Sequence, residues 1–192
     1  MPQRTKLASR LAMAAAMALA SSAIGGCATA STPPATPPAP PPPASLASAT
    51  LLSPDGATKA TATLVSVNGK LELRIAAEGL TPGTHGVHLH TTGACTAPNF
   101  ASAGGHLNPH ARMHGTDNPM GSHLGDLPNL MIDDSGKGSL TATLQDTAAE
   151  GEPQLFDADG TAIVIHAAAD DYKTDPSGNS GGRIACGVLT RG

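Results

Sequence analysis

Histidine and aspartate side chains at metal-ligand spacing are the part of this sequence that could do chemistry. Neutral imidazole binds both copper and zinc, and a carboxylate can complete a tetrahedral zinc site. Two four-coordinate sites need eight ligands, and one side chain would have to serve both metals if only seven are present. The seven candidates are His88, His90, His106, His114, His123, Asp126 and His166.

The spacing of these residues predicts how they could be brought together. His88 and His90 are two residues apart in a predicted strand, so their imidazoles point to one face and could bind one metal. His166 ends the strand-like run 162–165, and a neighbouring strand could deliver it to the same face. The other candidates follow one another along a polar loop that could curl around a second ion. A lone His-x-His pair would be weak evidence, whereas the whole set predicts a metal centre.

The remainder of the chain has the pattern of an all-β protein. The runs 61–67 and 70–76 alternate apolar and polar residues, and Asn68-Gly69 between them is a strong hairpin signal. No stretch after Thr50 has a sustained helical period. Further short strands are predicted at residues 86–90, 130–132, 139–144, 161–167 and 184–189. Short strands separated by Gly, Asp and Pro turns indicate a sandwich or barrel.

Two long polar segments, residues 91–128 and 170–182, interrupt the strands. Long loops within a compact domain are usually functional. The first loop carries four of the ligand candidates, from His106 to Asp126, and the second is followed by Arg183. We therefore expect these two loops to build the site.

Residues 1–26 have the features of an export signal. Basic residues precede an apolar run, residues 11–24, that is too short to cross a bilayer comfortably. The sequence Ile-Gly-Gly-Cys, which ends at Cys27, is similar to a bacterial lipobox, in which the cysteine becomes acylated. An ordinary signal peptide with an incidental cysteine is the alternative. We predict a membrane-anchored lipoprotein of the periplasm or cell envelope.

A tether over residues 27–49 follows the predicted lipid anchor on Cys27. Its proline-rich run favours extended polyproline II, which would hold the domain roughly 40 Å from the lipid. No other segment could span a membrane, so acyl chains at Cys27 would be the membrane anchor. Residues 50–192 are then predicted to form one domain of ordinary size.

Charge and cysteine content limit the remaining possibilities. The chain has 11 Lys/Arg residues, three of them in residues 1–26, so the rest carries eight against 15 Asp/Glu. This acidic balance argues against nucleic-acid binding. With one Tyr, two Phe and no Trp, the core must be largely aliphatic. If Cys27 is acylated, Cys95 and Cys186 remain for a disulfide, and two free buried thiols are the alternative.

Six short motifs are distributed over the predicted domain. They are Gly86-Val-His-Leu-His90 with Cys95, Gly104-Gly-His-Leu-Asn-Pro109, His114-Gly115, His123-Leu-Gly-Asp-Leu127, Val164-Ile-His166 with Asp170-Asp171, and Gly182-Arg-Ile-Ala-Cys-Gly-Val188. In these motifs the chain resembles the bacterial periplasmic copper/zinc superoxide dismutases. The resemblance implies an all-β, eight-stranded antiparallel Greek-key barrel or sandwich with two long functional loops.

The resemblance also implies a metal assignment. The implied copper ligands are His88, His90, His106 and His166. The implied zinc ligands are His106, His114, His123 and Asp126. His106 would be shared by the two metals and would take a proton when copper is reduced. The remaining histidines, His85 and His110, are interpreted as non-ligands.

Other residues acquire implied roles in the same way. Asp170 would join a copper histidine to a zinc histidine, His88 and His114. A Cys95–Cys186 disulfide would tie the metal-bearing loop to the last strand beside Arg183. Arg183 would place the superoxide anion, and Lys173 could help to steer it.

The activity implied by the resemblance is dismutation of superoxide to oxygen and hydrogen peroxide, which would protect the cell envelope from oxidative damage. Arg183 and His106 are the predicted catalytic residues. A homodimer is possible. The alternative is a non-catalytic periplasmic copper or zinc carrier on the same scaffold, which would need the ligands but not Arg183.

Overall fold

The computed structural model describes residues 43–192, which fold mainly into strands. The strands are β1 (Ser45–Leu52), β2 (Thr58–Val67), β3 (Lys70–Glu78), β4 (Gly83–His85), β5 (Val87–His90), β6 (Leu130–Ile132), β7 (Lys137–Thr147), β8 (Ala162–His166), β9 (Arg183–Val188) and β10 (Thr190–Arg191). One helix, α1 (Ala148–Leu155), and a 3₁₀ turn at Ala101–Ala103 accompany them. The predicted signal peptide, the lipobox with Cys27 and the tether up to residue 42 lie outside the described residues.

The strands form a curled antiparallel sheet with the order β5-β8-β9-β1-β2-β3-β7, and β10 also pairs with β1. A second, two-stranded sheet joins β4 to β6. Only Gly86 separates β4 from β5, and only Leu189 separates β9 from β10, so the strands of residues 43–192 correspond to eight passes of the chain. The prediction of an all-β, eight-stranded antiparallel barrel with two long loops is confirmed.

The first strand, β1, is not among the strands that the sequence predicts, of which the earliest is residues 61–67. β1 starts at Ser45, so residues 45–49, which the predicted boundary at residue 50 places in the tether, belong to the sheet. β1 pairs with β2 along most of its length and alternates buried and exposed residues. Its buried positions include Ala47 and Ala49. Such small side chains give little hydrophobic contrast, which is why the alternation is hard to see in the sequence.

The β2–β3 hairpin forms where the sequence predicts it. Asn68 and Gly69 have φ values of 51° and 75°, as a tight turn with two left-handed residues requires. β3 then alternates strictly, and Leu71, Leu73 and Ile75 point into the core. The turn residues and the alternation of buried and exposed residues therefore both predict the hairpin that is observed.

The core is aliphatic, as the composition requires, but three histidines are buried within it. The largest fully buried side chains include Leu51, Leu64, Leu71, Leu73, Leu89, Leu130, Leu155, Ile163 and Ile165. His88, His90 and His114 are buried to the same degree. Burying a polar ring is costly unless its nitrogens are bonded. The nitrogens of these three rings therefore need bonding partners inside the protein.

The helix α1 is the element that hydrophobic periodicity does not predict. It has eight residues, and of these Gly151 and Leu155 are buried, too few to give a helical period. Its local signal is a capping box, in which Thr147 is bonded to the carboxylate of Glu150. Neither this helix nor any other in residues 43–192 is long and apolar enough to cross a membrane.

Candidate metal centre

The edge strand β5 and the loops attached to it position the candidate ligands. His88 and His90 lie on β5, and its neighbour β8 ends at His166. The first long loop returns twice along the other edge of β5, so that Asp126 lies opposite His88 and His106 lies opposite His90. Backbone hydrogen bonds from Leu89 N–H to Gly125 O (2.9 Å) and from Leu107 N–H to Leu89 O (2.8 Å) fix this arrangement.

A glycine allows one of these loop passes to approach the strand. A Cβ atom added at Gly125 would lie 2.4 Å from the carbonyl oxygen of Leu89, which is closer than atoms can approach. The backbone of this pass can therefore reach the strand edge only without a side chain. Asp126, the next residue, is delivered to the site as a consequence.

Four buried ring nitrogens lack a hydrogen-bond partner among residues 43–192. They are His88 Nδ1, His90 Nε2, His106 Nε2 and His166 Nε2. One ligand atom from each of these residues lies within 4.8 Å of the others. Leaving a buried polar atom unpaired costs about 1–3 kcal/mol, so four together point to a bound group. Four neutral imidazoles suit copper.

The opposite nitrogen of three of these rings is held by an acceptor. The acceptors are Asp170 Oδ2 for His88 Nε2 (2.7 Å), Gly104 O for His90 Nδ1 (3.0 Å) and Gly181 O for His166 Nδ1 (3.2 Å). A ring nitrogen that donates to such an oxygen leaves the other nitrogen unprotonated and able to bind a metal. The acceptors therefore orient the unpartnered nitrogens toward one another.

Asp126 is the centre of a second group. Its Oδ1 atom lies 3.0 Å from Nδ1 of His106, 3.0 Å from Nδ1 of His114 and 3.1 Å from Nδ1 of His123. Its Oδ2 atom accepts the backbone N–H groups of Gly115 (2.8 Å) and His123 (3.0 Å). Three imidazoles and one carboxylate fit a tetrahedral zinc site. Ligand atoms of His106, His114 and Asp126 lie within 4.8 Å of one another, together with one from His88, whereas His123 joins the group through its contact with Asp126.

His106 belongs to both groups. Its Nε2 atom is one of the four unpartnered nitrogens, and its Nδ1 atom faces Asp126. The two groups are therefore adjacent, and the same ring lies between them. The ring of His106 also stacks on that of His88 at a centroid distance of 3.8 Å.

Asp170 spans the two groups from behind. Its Oδ2 atom lies 2.7 Å from His88 Nε2, and its Oδ1 atom lies 2.9 Å from His114 Nε2. The carboxylate is buried and contacts the nitrogens that face away from the two ligand groups. One side chain therefore couples the orientation of a ring in each group.

Burial keeps three histidines of the first group, His90, His106 and His166, neutral. In the metal-free chain, burial lowers the pKa of His90 to about 2 and that of His166 to about 3. Burial likewise lowers the pKa of His106 to about 4, although hydrogen bonding to Asp126 opposes this effect. Neutral imidazole is the form that binds metals, so protons do not compete for these nitrogens near neutral pH.

The second group has the opposite electrostatic balance. Burial alone would lower the pKa of His114, but hydrogen bonds to Asp126 and Asp170 raise it to about 9. Burial would raise the pKa of Asp126, yet the hydrogen bonds from its three histidine partners hold it far below the ordinary value. Asp126 therefore stays ionised, which favours a cation there, and a metal bound by His114 would have to displace a proton.

Arg183 lies at the start of β9, paired with His166 across the β8–β9 ladder. Its Nη1 and Nη2 atoms donate to the carbonyl oxygens of Phe100 and Gly104, both at 2.6 Å. Gly104 O also accepts from His90, so Arg183 and His90 share an acceptor. The pairing with His166 and the acceptor shared with His90 place the guanidinium beside the first group, where its charge further lowers the pKa of both histidines.

The disulfide supports the segment that holds Arg183. Cys95 and Cys186 are bonded, with their Cα atoms 5.6 Å apart, as the sequence predicts. The bridge ties the start of the first long loop to β9, three residues after Arg183. Both carbonyl acceptors of Arg183 lie in the loop segment that this bridge anchors.

Comparison with known proteins identifies the scaffold that carries this geometry. The sequence profile described as "Copper/zinc superoxide dismutase (SODC)" matches residues 58–189. The chain belongs to this family. As a member of the copper/zinc superoxide dismutase family, it uses copper and zinc as cofactors.

Individual members of the copper/zinc superoxide dismutase family are similar over most of the chain. "Superoxide dismutase [Cu-Zn] 2" from Aquifex aeolicus is 43% identical over 148 residues, covering 74% of this chain and 85% of that protein. The enzyme from Caulobacter vibrioides is 40% identical over 149 residues, covering 74% and 84%. A crystal structure of a double mutant of a SOD-like protein from Bacillus subtilis has a TM-score of 0.70 at 42% identity, covering 74% and 95%.

The two histidines interpreted as non-ligands lie outside both groups. His85 is buried, with its ring nitrogens 2.7 Å from His166 O and 2.9 Å from Thr81 O. His110 is on the surface, where Nε2 lies 3.1 Å from Asp146 Oδ2. Lys173 is exposed on the second loop.

Three residues that support the site are not evident from the sequence. Asn129 bonds to the backbone of Asp170 through both ends of its amide. Asp175 accepts the backbone N–H of His114 at 2.7 Å. Tyr172 contacts both long loops. Each residue acts across a large sequence separation, so spacing carries no signal for it.

Proposed function

We propose that this chain dismutates superoxide at a copper–zinc centre in which His106 is shared by the two metals. The proposed copper ligands are His88, His90, His106 and His166. The proposed zinc ligands are His106, His114, His123 and Asp126. The observation that carries the proposal is the convergence of four buried, unpartnered imidazole nitrogens, one of them on a ring whose other nitrogen faces Asp126.

Copper bound there would supply a one-electron redox change, which allows two superoxide ions and two protons to become oxygen and hydrogen peroxide. Arg183 would hold the substrate anion, because its guanidinium has five N–H donors and the two carbonyl oxygens do not occupy them all. His106 would hold a proton at Nε2 whenever that atom is not bound to copper, since it has no protein partner. The buried histidines around it would keep bulk water away.

The residues behind the two groups would keep the ligands in place. Asp170 accepts from His88 and His114 and would fix both tautomers. Asp126 would complete the zinc site and order the first loop through its bonds to backbone N–H groups. Zinc has no redox chemistry, so its role would be structural and electrostatic.

The burial of the ligands favours an enzyme over a metal carrier. A carrier has to release its metal readily, whereas His88, His90 and His114 are at most 1% exposed. A carrier also has no need of a guanidinium held beside the first group by two short hydrogen bonds. The dismutase is therefore the better-supported function.

The proposal is tested by replacing Arg183 with Ala in protein reconstituted with copper and zinc. We expect the variant to retain both metals, because Arg183 is not a ligand, and to consume superoxide about 10- to 100-fold more slowly. The loss reflects both missing donors and weaker attraction of the anion. The remaining rate should also respond less to salt. Superoxide consumption and metal content are the measurements.

The matched control is Arg74→Ala, which removes the same charge from an exposed pair with Glu72 on β3. It should leave the rate nearly unchanged. An Arg183→Ala variant with the rate of the wild type would refute the role of Arg183. A wild-type protein that holds both metals without consuming superoxide would favour the carrier.

We further propose that the chain acts in the periplasm or cell envelope as a lipoprotein anchored at Cys27, where it would protect the envelope from superoxide. The disulfide supports export, because such bonds persist in oxidising compartments. A homodimer remains a prediction.

The anchor predicts that Cys27→Ser in the full chain moves the protein from the membrane fraction to the soluble periplasmic fraction, because the acyl chains are lost. Fractionation of cells followed by immunodetection measures the change. Wild-type protein found in the soluble fraction would contradict the lipid anchor without affecting the proposed activity.

A further inference from the structure

Tyr172, in the second long loop, connects three separate segments around the metal centre. Its phenol oxygen accepts the backbone N–H of Asn129 at 2.7 Å. Its own backbone N–H donates to Oδ1 of Asp170 at 2.7 Å. Its carbonyl oxygen accepts the N–H of Asp117, in the first long loop, at 2.9 Å.

The backbone of Tyr172 is held in an unusual conformation. Its φ of 64° lies in the left-handed region, which residues other than glycine adopt at an energetic cost. Such strain persists only where the surroundings fix it, and it often marks a functional position. The three hydrogen bonds of this residue are the contacts that fix it here.

The first long loop packs against the strained residue without a gap. A Cβ atom at Gly115 would lie 1.9 Å from the carbonyl oxygen of Tyr172, so this contact requires glycine. The N–H of Gly115 donates to Oδ2 of Asp126, and the preceding residue is His114. Through Gly115, the position of Tyr172 therefore affects the positions of two proposed zinc ligands, His114 and Asp126.

Asn129 completes a clamp on Asp170. Its Oδ1 atom accepts the N–H of Asp170 at 2.9 Å, and its Nδ2 atom donates to Asp170 O at 2.9 Å. Because the phenol of Tyr172 bonds to the backbone of Asn129, residues 170 and 172 are both tied to residue 129. The carboxylate between His88 and His114 is oriented by this clamp.

Space beside the ring makes the phenol hydrogen bond important. Tyr172 lines a cavity of about 250 Å³ together with Asp126, Pro128, Thr143 and Gln145. Packing alone does not fill this space, so the ring would be free to move into it if the bond to Asn129 were lost.

We propose that Tyr172 is a positioning residue of the metal centre, and that its phenol holds Asp170 in the orientation that keeps His88 and His114 ready to bind metal. This role rests on the proposed copper–zinc function. It acts through Asp170 and requires no contact between Tyr172 and a metal or the substrate.

The test is the Tyr172→Phe variant, which removes one oxygen and retains the ring. Zinc release from zinc-loaded, copper-free protein to a chromogenic chelator should be about 10-fold faster than in the wild type, the lower end of the effect of losing a partner of a metal ligand. The melting temperature of the metal-free protein should stay within about 2 °C of the wild type, because a single half-buried hydrogen bond is lost.

Two further variants separate positioning from a general structural effect. Thr143→Val removes a hydroxyl from the same cavity but lies outside the clamp, and its zinc release should match the wild type. In an Asp170→Asn background, Tyr172→Phe should change zinc release by less than about twofold, because residues that act as one unit are not additive.

Several results would overturn the proposal. They are wild-type zinc release in Tyr172→Phe, an undiminished effect in the Asp170→Asn background, an equal effect of Thr143→Val, and a melting temperature that falls as far without zinc as with it. A wild-type protein that binds no zinc would instead overturn the proposed function itself, so the two failures can be told apart.

Discussion

Replacing Asp126 with Ala should weaken zinc binding by more than about 100-fold and leave copper able to bind through His88, His90 and His166. Asp126 is the acceptor on which the Nδ1 atoms of His106, His114 and His123 converge. Loss of a partner behind a ligand already costs about 10–100-fold in metal affinity, and loss of a ligand should cost more. The four unpartnered nitrogens all belong to histidines, so the variant retains every one of them.

The same variant should loosen the first long loop. Oδ2 of Asp126 accepts the N–H groups of Gly115 and His123, and both would lose their partner. Buried N–H groups without partners destabilise the local structure. Hydrogen exchange should therefore accelerate over residues 114–126, while amides in β2 and β3 keep their protection. Elemental analysis and competition with a zinc chelator measure the metal sites.

Asp134→Ala is the matched control, because it removes the same charge from an exposed turn between β6 and β7. Its zinc content and loop exchange should equal those of the wild type. Unchanged zinc content in Asp126→Ala would show that another residue completes the site. Loss of copper together with zinc would show that the two groups do not bind independently.

The candidate ligands could be selected from the sequence by residue type, and His88 and His90 also by spacing, whereas the division of the set between two metals came from the family resemblance. His88 and His90 are two residues apart on a strand. Side chains at this separation lie on the same face of a strand in any fold. The fold class was similarly accessible, because Asn68-Gly69 and the alternating runs around it report local geometry. Signals of this kind depend only on neighbouring residues, so a single sequence is enough to show them.

The contacts that orient the ligands could not be predicted from spacing. His88 and Asp170 are 82 residues apart, and His114 and Asp170 are 56 residues apart. Family resemblance suggested Asp170, but it gave no reason to select Asn129 or Tyr172. Which ring nitrogen of His90 and of His166 stays free to bind a metal also depends on distant residues, because the carbonyl oxygens of Gly104 and Gly181 bond to the other nitrogen. These acceptors are backbone carbonyl oxygens, which every residue has, so the residue type gives no indication of them.

Removing the disulfide should be the most damaging change to stability. For Cys95→Ser with Cys186→Ser, the sequence separation of 91 residues predicts a loss of roughly 4–5 kcal/mol in the free energy of unfolding, because the unfolded chain regains entropy. Urea denaturation of the metal-free protein measures this loss. A decrease below about 1 kcal/mol would show that the native loop is held by its other contacts.

The double variant should also lose activity without losing its metals. Arg183 bonds to the carbonyl oxygens of Phe100 and Gly104, and the bridge holds their loop against β9. None of the proposed ligands is a cysteine, so metal content should be preserved in the folded fraction. Reversible reduction of the wild type is the control, since it breaks the same bond without a substitution. If both proteins keep the full rate of superoxide consumption while folded, the disulfide stabilises the domain but does not position Arg183. A parallel fall in rate would instead place the bridge and the arginine in one functional unit.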